Sequence, residues 1–534
     1  MIQFTTPLSI RLGVVGAGTM GSGIALTALL ADMYVTLYDI DLQTLERAWN
    51  SIDRHLARKS RSSNLTHLKL TSEWEDLGKA NFIIEAVPED LAIKQDLFSR
   101  LDALCPPPVI LATNTSTLAV TAIAAATQYP ERVVGMHFFN PAPVLPLVEV
   151  VRAAQTDDAA VQAAVAAAKF LGKTPVEVRD TPGFIVNRVA RPFYGEALRL
   201  AGEGAASYEV IDRVVRLGGG FKMGPFQLMD LIGIDVNLAA TQSMYEQTYG
   251  EPRYRPHYLQ VQMTQQKALG RKTGRGFYNY DSEPPFDDSL RLPAGLGAAK
   301  GPGEQAVYLA AGDWAPGMAQ ACRQAGYLLA AAPGAGYLAL SPTSDSVGLV
   351  AVGYSEGLKE RLASLERQLP SEALILCQCA DVTLTELAAE MNTPERLVGF
   401  DGLFFAGGQV ATLVASPVLT DRARRAAETF IASLGRLPIW VNDSPGLILP
   451  RVVCMLANEA AFAAGEGIAE PEEIDRAMQL GVNYPKGPLA WARQLGLARV
   501  VAVLDHLHAE LGEERYRVAP LLRRWARLEK LTGY

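Results

Sequence analysis

The clearest hydrophobic pattern lies at residues 10 to 39, where an apolar run, "IRLGVV", gives way to a glycine-rich turn, "GAGTMGSG". The Ala/Leu-rich stretch "IALTALLADM" follows, then a second apolar run, "YVTLYD". That succession predicts strand, turn, helix and strand, a βαβ unit. Similar apolar runs recur in "FIIEAVPE" (82–89), "VILATNTST" (109–117) and "RVVGMHFFNP" (132–141), separated by the helical pattern "LAIKQDLFSRLDALC" and a Pro106-Pro107-Pro108 break. Alternation of this kind is expected to build a doubly wound parallel sheet. Near 181 the Val-rich runs stop, and long helical patterns begin at "TPGFIVNRVARPFYGEALRLAGEG", continuing to "GRGFYNYD" around 281. Residues 283–303, rich in Pro and Gly without a hydrophobic period, read as a linker.

Beyond the linker the text repeats. Pro130-Glu131-Arg132 returns as Pro394-Glu395-Arg396, and Asp180, Pro182 and Gly183 return as Asp443, Pro445 and Gly446. "AGEG" recurs at 201 and 464, and Ile211-Asp212-Arg213 recurs as Ile474-Asp475-Arg476. Self-similarity over this length means a duplicated unit. The expected fold is therefore α/β: a Rossmann doubly wound domain (8–181) and an all-α helical domain (182–282), then the linker (283–303). A degenerate second copy of both follows, a Rossmann-like domain (304–443) and a second helical domain (444–534).

The first turn carries Gly16-x-Gly18-x-x-Gly21, with Asp39 closing the second strand. Gly16 permits the turn, Gly18 lets backbone approach a pyrophosphate, and Gly21 lets helix and strand pack closely. The helix N-terminus offers unpaired N–H groups to the phosphates. An acid at Asp39 accepts hydrogen bonds from ribose hydroxyls and repels a 2′-phosphate, which favours NAD over NADP. In the second copy the equivalent stretch, "VYLAAGDWAPG" (307–317), has only Gly312 and Gly317, so a second nucleotide site is not expected.

Composition narrows the partners. The formal charge of -8 gives no general attraction for nucleic acid or an anionic membrane. Five cysteines, unevenly spaced, suit neither a disulfide framework nor a metal set. With no basic n-region at the start and no apolar run long enough for a membrane helix, the expectation is a cytoplasmic protein.

Four polar residues of the first copy fall at strand ends or at the junction of its two domains: Ser116, His137, Glu149 and Asn187. His137 ends one apolar strand and Glu149 lies on the next, "LPLVEV", so either parallel or antiparallel pairing brings carboxylate to imidazole. In order and spacing, "VGAGTMGSGIA", "NTST", "GMHFFNPAP" and "DTPGFIVNR" resemble the motifs of the NAD-dependent 3-hydroxyacyl-CoA dehydrogenases, over about residues 10 to 282. The closing "LGVNYPKGPLAW" and "GEERYR" resemble the long bacterial members that take a 3-hydroxyadipyl thioester in phenylacetate breakdown.

That resemblance implies oxidation of an L-3-hydroxyacyl-CoA thioester, with His137 as the base and Glu149 orienting it. Ser116 and Asn187 would hydrogen-bond the reacting oxygen. It also puts Met20, Glu85, Lys94 and Asn114 beside NAD. Two readings stay open for Ser116, which also suits a helix cap, and for Lys94, which also suits a solvated helix face. The basic run Arg54, Arg58, Lys59 and Arg61 lies where the family grips CoA phosphates, and reads equally as a solvated face. Pro146 departs from the family, where a basic residue is common.

An acidic acyl tail wants an arginine, for which Arg191, Arg253 and Arg255 are candidates. A short-chain 3-hydroxybutyryl-CoA substrate and a non-catalytic NAD- or CoA-binding scaffold are the alternatives. In the second copy Ser116 becomes Ala380, His137 becomes Asp401, Asn187 becomes Pro450, and Glu149 becomes Thr412 or Leu413. The second copy is therefore expected to be architectural, its helical domain packing as an internal pseudo-dimer, with a homo-oligomer also open.

Overall fold

A computed structural model describes residues 6–281, 306–310, 315–331, 347–350, 362–363, 366–405 and 407–532. The expected linker (283–303) and Gly312 lie outside the described residues. The chain divides into two compact units, and neither is a contiguous half. One comprises Met1–Val189, Glu246–Thr248 and Ala463–Gly487; the other comprises Ala190–Tyr245, Tyr249–Phe462 and Pro488–Tyr534.

The first unit is built on an eight-stranded sheet: β1 (Arg11–Val15), β2 (Tyr34–Tyr38), β3 (Leu68–Thr71), β4 (Phe82–Glu85), β5 (Ile110–Thr113), β6 (Val133–Phe138), β7 (Leu147–Arg152) and β8 (Thr174–Arg179). Their order is β3-β2-β1-β4-β5-β6-β7-β8, so the winding reverses between β1 and β4, where an open α/β sheet holds its ligands. Neighbours run parallel except β6 and β7, which are antiparallel. Helices α1 (Thr19–Leu30), α2 (Leu42–Arg58), α3 (Leu91–Leu104), α4 (Val120–Ala124), α5 (Asp158–Phe170) and α6 (Val186–Val189) fill the connections. Several start where the sequence signals it: the carboxylates of Asp41, Asp90 and Asp157 accept backbone N–H groups in the first turns of α2, α3 and α5. Val14, Leu37, Ile84, Met136 and Val148 from the sheet pack with Ile24 and Leu29 of α1 in one core.

Among the described residues the second unit repeats the plan with seven strands: β9 (Ala306–Ala310), β10 (Leu328–Ala331), β11 (Val347–Val350), β12 (Leu374–Gln378), β13 (Leu397–Phe400), β14 (Val410–Ala415) and β15 (Leu437–Val441). The order is β10-β9-β11-β12-β13-β14-β15, again with one antiparallel pair, β13 with β14. The first copy supplies the helices that follow α6: α7 (Arg191–Gly202), α8 (Tyr208–Gly219), α9 (Pro225–Ile232), α10 (Ile234–Gln247) and α11 (Tyr258–Gln265). The second copy supplies α12 (Ala315–Gln324), α13 (Leu384–Ala389), α14 (Asp421–Ser433), α15 (Leu449–Gly465), α16 (Pro471–Val482), α17 (Pro488–Leu495), α18 (Leu497–Leu511) and α19 (Pro520–Thr532).

One exchange follows from this division. Helix α16, from the second copy, belongs to the first unit and packs on β7, β8 and α6. Helix α8, its counterpart in the first copy, belongs to the second unit and packs on β14 and β15. Small residues allow both contacts. A Cβ on Gly481 would lie 2.8 Å from Leu147 and 3.1 Å from Val186, and one on Gly218 would lie 3.1 Å from Leu449 and 3.4 Å from Val410. The five cysteines are buried thiols. Among the described residues no helix is long and apolar enough to cross a membrane.

Candidate active site

The connection from Phe138 to Leu147 is too short for a crossover helix, so the strand after β6 must return antiparallel. That settles the geometry the sequence left open. His137 stands directly across from Glu149 in the register, with Nδ1 2.7 Å from Oε2. The imidazole is 6 % exposed and the carboxylate 0 %. The other carboxylate oxygen accepts the backbone N–H groups of Ile185 at 3.0 Å and Val186 at 2.9 Å. These are unpaired donors at the start of α6, so one carboxylate fixes both the ring and the helix. Asn187 comes next on α6, and its Nδ2 donates to the Ser116 carbonyl at 3.3 Å.

Ser116 is not the helix cap. Ala119 is the N-cap of α4, without a side-chain bond, and Thr115 Oγ1 accepts from Leu118 N at 3.0 Å. The 115–117 loop instead folds round Glu89, which the sequence reading did not single out. Glu89 Oε1 accepts N–H from Ser116 at 2.8 Å and Thr117 at 2.9 Å, and the Thr115 hydroxyl at 2.6 Å. Burial pushes the Glu89 pKa up, but the Lys94 charge and these donors outweigh it, so the carboxyl titrates below its ordinary range. Its one sequence signal is its place at the end of "FIIEAVPE", just past a strand end.

Lys94 is 1 % exposed, which removes the solvated-face reading. Its Nζ donates to Glu85 Oε1 at 2.5 Å and lies 3.3 Å from Glu89. Glu85, fully buried, also accepts from Val87 N and from the Thr113 hydroxyl, both at 2.7 Å. Both carboxylate oxygens of Glu85 thus meet donors, as a charge out of water requires. Asn114 Oδ1 accepts from Phe138 N at 2.8 Å and ties the end of β5 to the end of β6.

At the switch point, the three glycines divide their work. Gly16 has φ +96°, and a Cβ there would meet the Ala86 carbonyl at 2.7 Å. A Cβ on Gly21 would lie 1.7 Å from the Gly16 carbonyl, whereas one on Gly18 meets nothing within 4 Å. The turn is closed behind Gly16 and Gly21 and open at Gly18, the cradle a pyrophosphate needs. Gly18 caps α1 with no side-chain bond, leaving the helix N–H groups for an anion. Asp39 Oδ2 accepts from Ala17 N at 2.7 Å, which holds the half-buried carboxylate against the turn. Met20 is partly buried against the core of the same helix. The residues present fit NAD. Arg54, Arg58 and Lys59 are exposed along and just past α2, and Arg61 pairs with Asp32 at 3.3 Å.

In the second sheet, Asp401 N donates to Thr412 O, and the β13–β14 register puts Thr412 at the place of Glu149. Asp401 is buried, and burial pushes its pKa up to about 7 despite N–H donors from Phe404 and Leu403. Carboxyl, alanine, threonine and proline thus stand where the first copy has imidazole, hydroxyl, carboxylate and amide.

Residues 11–181 match the family described as "3-hydroxyacyl-CoA dehydrogenase, NAD binding domain". Residues 183–280 and 446–533 each match "3-hydroxyacyl-CoA dehydrogenase, C-terminal domain". The 3-hydroxyadipyl-CoA dehydrogenase of Escherichia coli (strain K12) is 37 % identical over 98 % of both chains. The probable 3-hydroxybutyryl-CoA dehydrogenase of Bacillus subtilis (strain 168) is 41 % identical, over 51 % of this chain and 98 % of its own. A crystal structure of 3-hydroxybutyryl-CoA dehydrogenase from Escherichia coli K12 superposes with a TM-score of 0.81 at 36 % identity, covering 98 % of this chain and 99 % of that one. The two full-length relatives are named for different acyl chains.

Proposed function

The chain belongs to the 3-hydroxyacyl-CoA dehydrogenase family, an NAD-dependent group, and we propose that its substrate is an L-3-hydroxyadipyl-CoA thioester, oxidised at a single site built on His137. The observation that carries this reading is the 2.7 Å contact of His137 Nδ1 with Glu149. A carboxylate on Nδ1 keeps the proton there and leaves Nε2 as the basic atom, which takes the proton of the 3-hydroxyl. When bound, NAD supplies the acceptor for the hydride that leaves C3. The Ser116 hydroxyl and the Asn187 amide hold the substrate oxygen as it becomes a carbonyl. Each such donor is worth about 3 kcal/mol in systems where one has been removed. Glu89 positions Ser116 by holding its backbone, and Asp39 and Gly18 receive the ribose and pyrophosphate.

The adipyl assignment is supported by a relative matching the whole chain, and the butyryl alternative by the half-length relatives and the solved structure. NADH formation with 3-hydroxyacyl-CoA thioesters of differing length and terminal charge decides between them, with His137→Gln as the control. Butyryl preferred over adipyl would establish the alternative, and no turnover of any thioester would leave a binding scaffold.

Two ion pairs support an internal pseudo-dimer. In the first unit Arg188 Nη1 lies 2.7 Å from Glu466, and in the second unit Arg451 Nη1 lies 2.7 Å from Glu203. Arg188 and Arg451 are equivalent positions of the two copies, as are Glu203 and Glu466. Residue i meeting j′ while j meets i′ is the signature of a two-fold interface between like subunits. Residues 1–285 expressed alone should lose activity on dilution; a fully active monomer would disprove the role.

A further inference from the structure

Three prolines, Pro141, Pro143 and Pro146, crowd the connection from His137 to Glu149. Each lacks a backbone N–H, so the turn they form has fewer donors than carbonyls and must take donors from elsewhere. Lys173, just before β8, supplies them. Its Nζ donates to the Ala142 carbonyl at 2.5 Å and to the Leu145 carbonyl at 2.8 Å. The residue is 8 % exposed, and burial lowers its pKa below the ordinary lysine value. A cation is thus kept out of water to hold two carbonyls.

The turn it holds touches three parts of the site. It leaves β6 just after the base and enters β7 at Leu147, two residues before Glu149. Between those ends it lies on α1, the helix whose N-terminus forms the pyrophosphate cradle. Ala142 belongs to the same core as Ile24 and Ala25 of that helix. A Cβ on Gly23 would lie 3.3 Å from the Ala142 Cβ and 3.5 Å from Pro143 Cδ, so turn and helix are in direct contact.

The second copy has Arg436 in the place of Lys173, each following a glycine with φ +71°. Arg436 Nε reaches one carbonyl, that of Phe405, at 3.5 Å. A cation at this corner therefore belongs to the fold, and the close grip on two carbonyls belongs to the copy that has a base.

The reaction makes that grip matter. The hydroxyl proton passes to His137 while the C3–H bond breaks and its electron pair leaves with the hydride for the nicotinamide. Base and cofactor must stand at one spacing for both transfers, and small misplacements are costly. We infer that Lys173 is a positioning residue for hydride transfer: by holding the 141–146 turn against α1, it fixes the spacing between the cofactor's helix and the strand end that carries His137. The inference rests on the dehydrogenase reading above and adds to it a residue that acts through the backbone.

Lys173→Met keeps the aliphatic stem and removes the donors, whereas Lys173→Arg keeps a cation. In Lys173→Met, kcat should fall by about 10- to 100-fold, with KM for the thioester within about threefold and NADH affinity, by fluorescence titration, close to wild type. The deuterium isotope effect on kcat, with substrate labelled at C3, should rise as hydride transfer becomes the slow step. Lys173→Arg should recover most of the loss. Without any ligand, the amides of Val144 and Leu145, which donate to the Pro141 carbonyl at 2.9 and 3.1 Å, should exchange hydrogen about tenfold faster in Lys173→Met.

An isotope effect unchanged in Lys173→Met overturns the inference, whatever the loss in thermal midpoint, because a smaller folded fraction leaves that ratio untouched. Should the variant fail to fold, Gly23→Ala presses on the turn from the α1 side with Lys173 intact, and should lower kcat severalfold with the same rise in isotope effect; no change there also overturns it. Unaltered exchange at Val144 and Leu145 refutes the grip of Lys173 while leaving the dehydrogenase reading intact. A wild-type enzyme that oxidises no 3-hydroxyacyl-CoA thioester refutes the reading itself.

Discussion

Glu149 lies opposite His137 in an antiparallel pair and reaches it with one oxygen while the other accepts two backbone N–H groups at the start of α6. Strand, ring and helix are therefore positioned by a single buried carboxylate. Glu149→Gln replaces an acceptor with an amide whose NH₂ faces either the ring or the helix N–H groups. NADH formation should fall by about 10²- to 10⁴-fold in kcat, with NAD binding, measured by titration, close to wild type. A kcat within about threefold would remove the carboxylate from the mechanism.

Glu89 should give the acid limb of activity. Its folded pKa is lowered from 4.5, so its stabilising contribution is present above the unfolded value and lost as pH falls through the lowered one. Protonation there frees the Ser116 loop. The Glu89→Gln variant should be slower than wild type at neutral pH and show a flatter decline below about pH 4.5, read from initial rates and thermal midpoints across that range.

Asp401 should act in the opposite direction. Its folded pKa is raised to about 7, so its favourable contribution is complete below the unfolded value near 3.8 and is lost as pH rises through 7. Asp401→Asn should therefore raise the thermal midpoint by a few degrees at pH 9 and by less at pH 5. A larger gain at pH 5 would reverse the assignment.

Gly481 and Gly218 are equivalent positions with unequal consequences. Gly481→Val presses on Leu147 and Val186, the elements that carry Glu149 and Asn187, whereas Gly218→Val presses on Leu449 and Val410 of the second copy. Overpacking costs roughly 1–3 kcal/mol at either site. Both variants should lose stability by similar amounts, and Gly481→Val should lose markedly more kcat.

The parts legible in the sequence were those fixed by local spacing. The glycine turn needs three residues at set intervals and an acid at the next strand end. His137 and Glu149 are twelve residues apart across a short connection, so any return of the chain brings them together. Glu89 was missed because its partners lie 26 to 28 residues away on a loop whose path depends on two strand ends. Lys94 was ambiguous because helical periodicity shows a charge's face but not the buried acids beneath it. The exchange of α8 and α16 was illegible for a related reason: an amphipathic helix states that it must cover a sheet, not which of two similar sheets. Register also resolved the gap that left Thr412 and Leu413 interchangeable.

The Arg188–Glu466 and Arg451–Glu203 pairs join residues 278 and 248 positions apart on one polypeptide. A contact written into a single chain does not obey mass action, since linkage sets its effective concentration. Specific activity should then hold constant down to dilutions at which a two-chain enzyme would fall apart. Synthesis at any level delivers both halves in equal number, and selection on one half can proceed without altering its mirror.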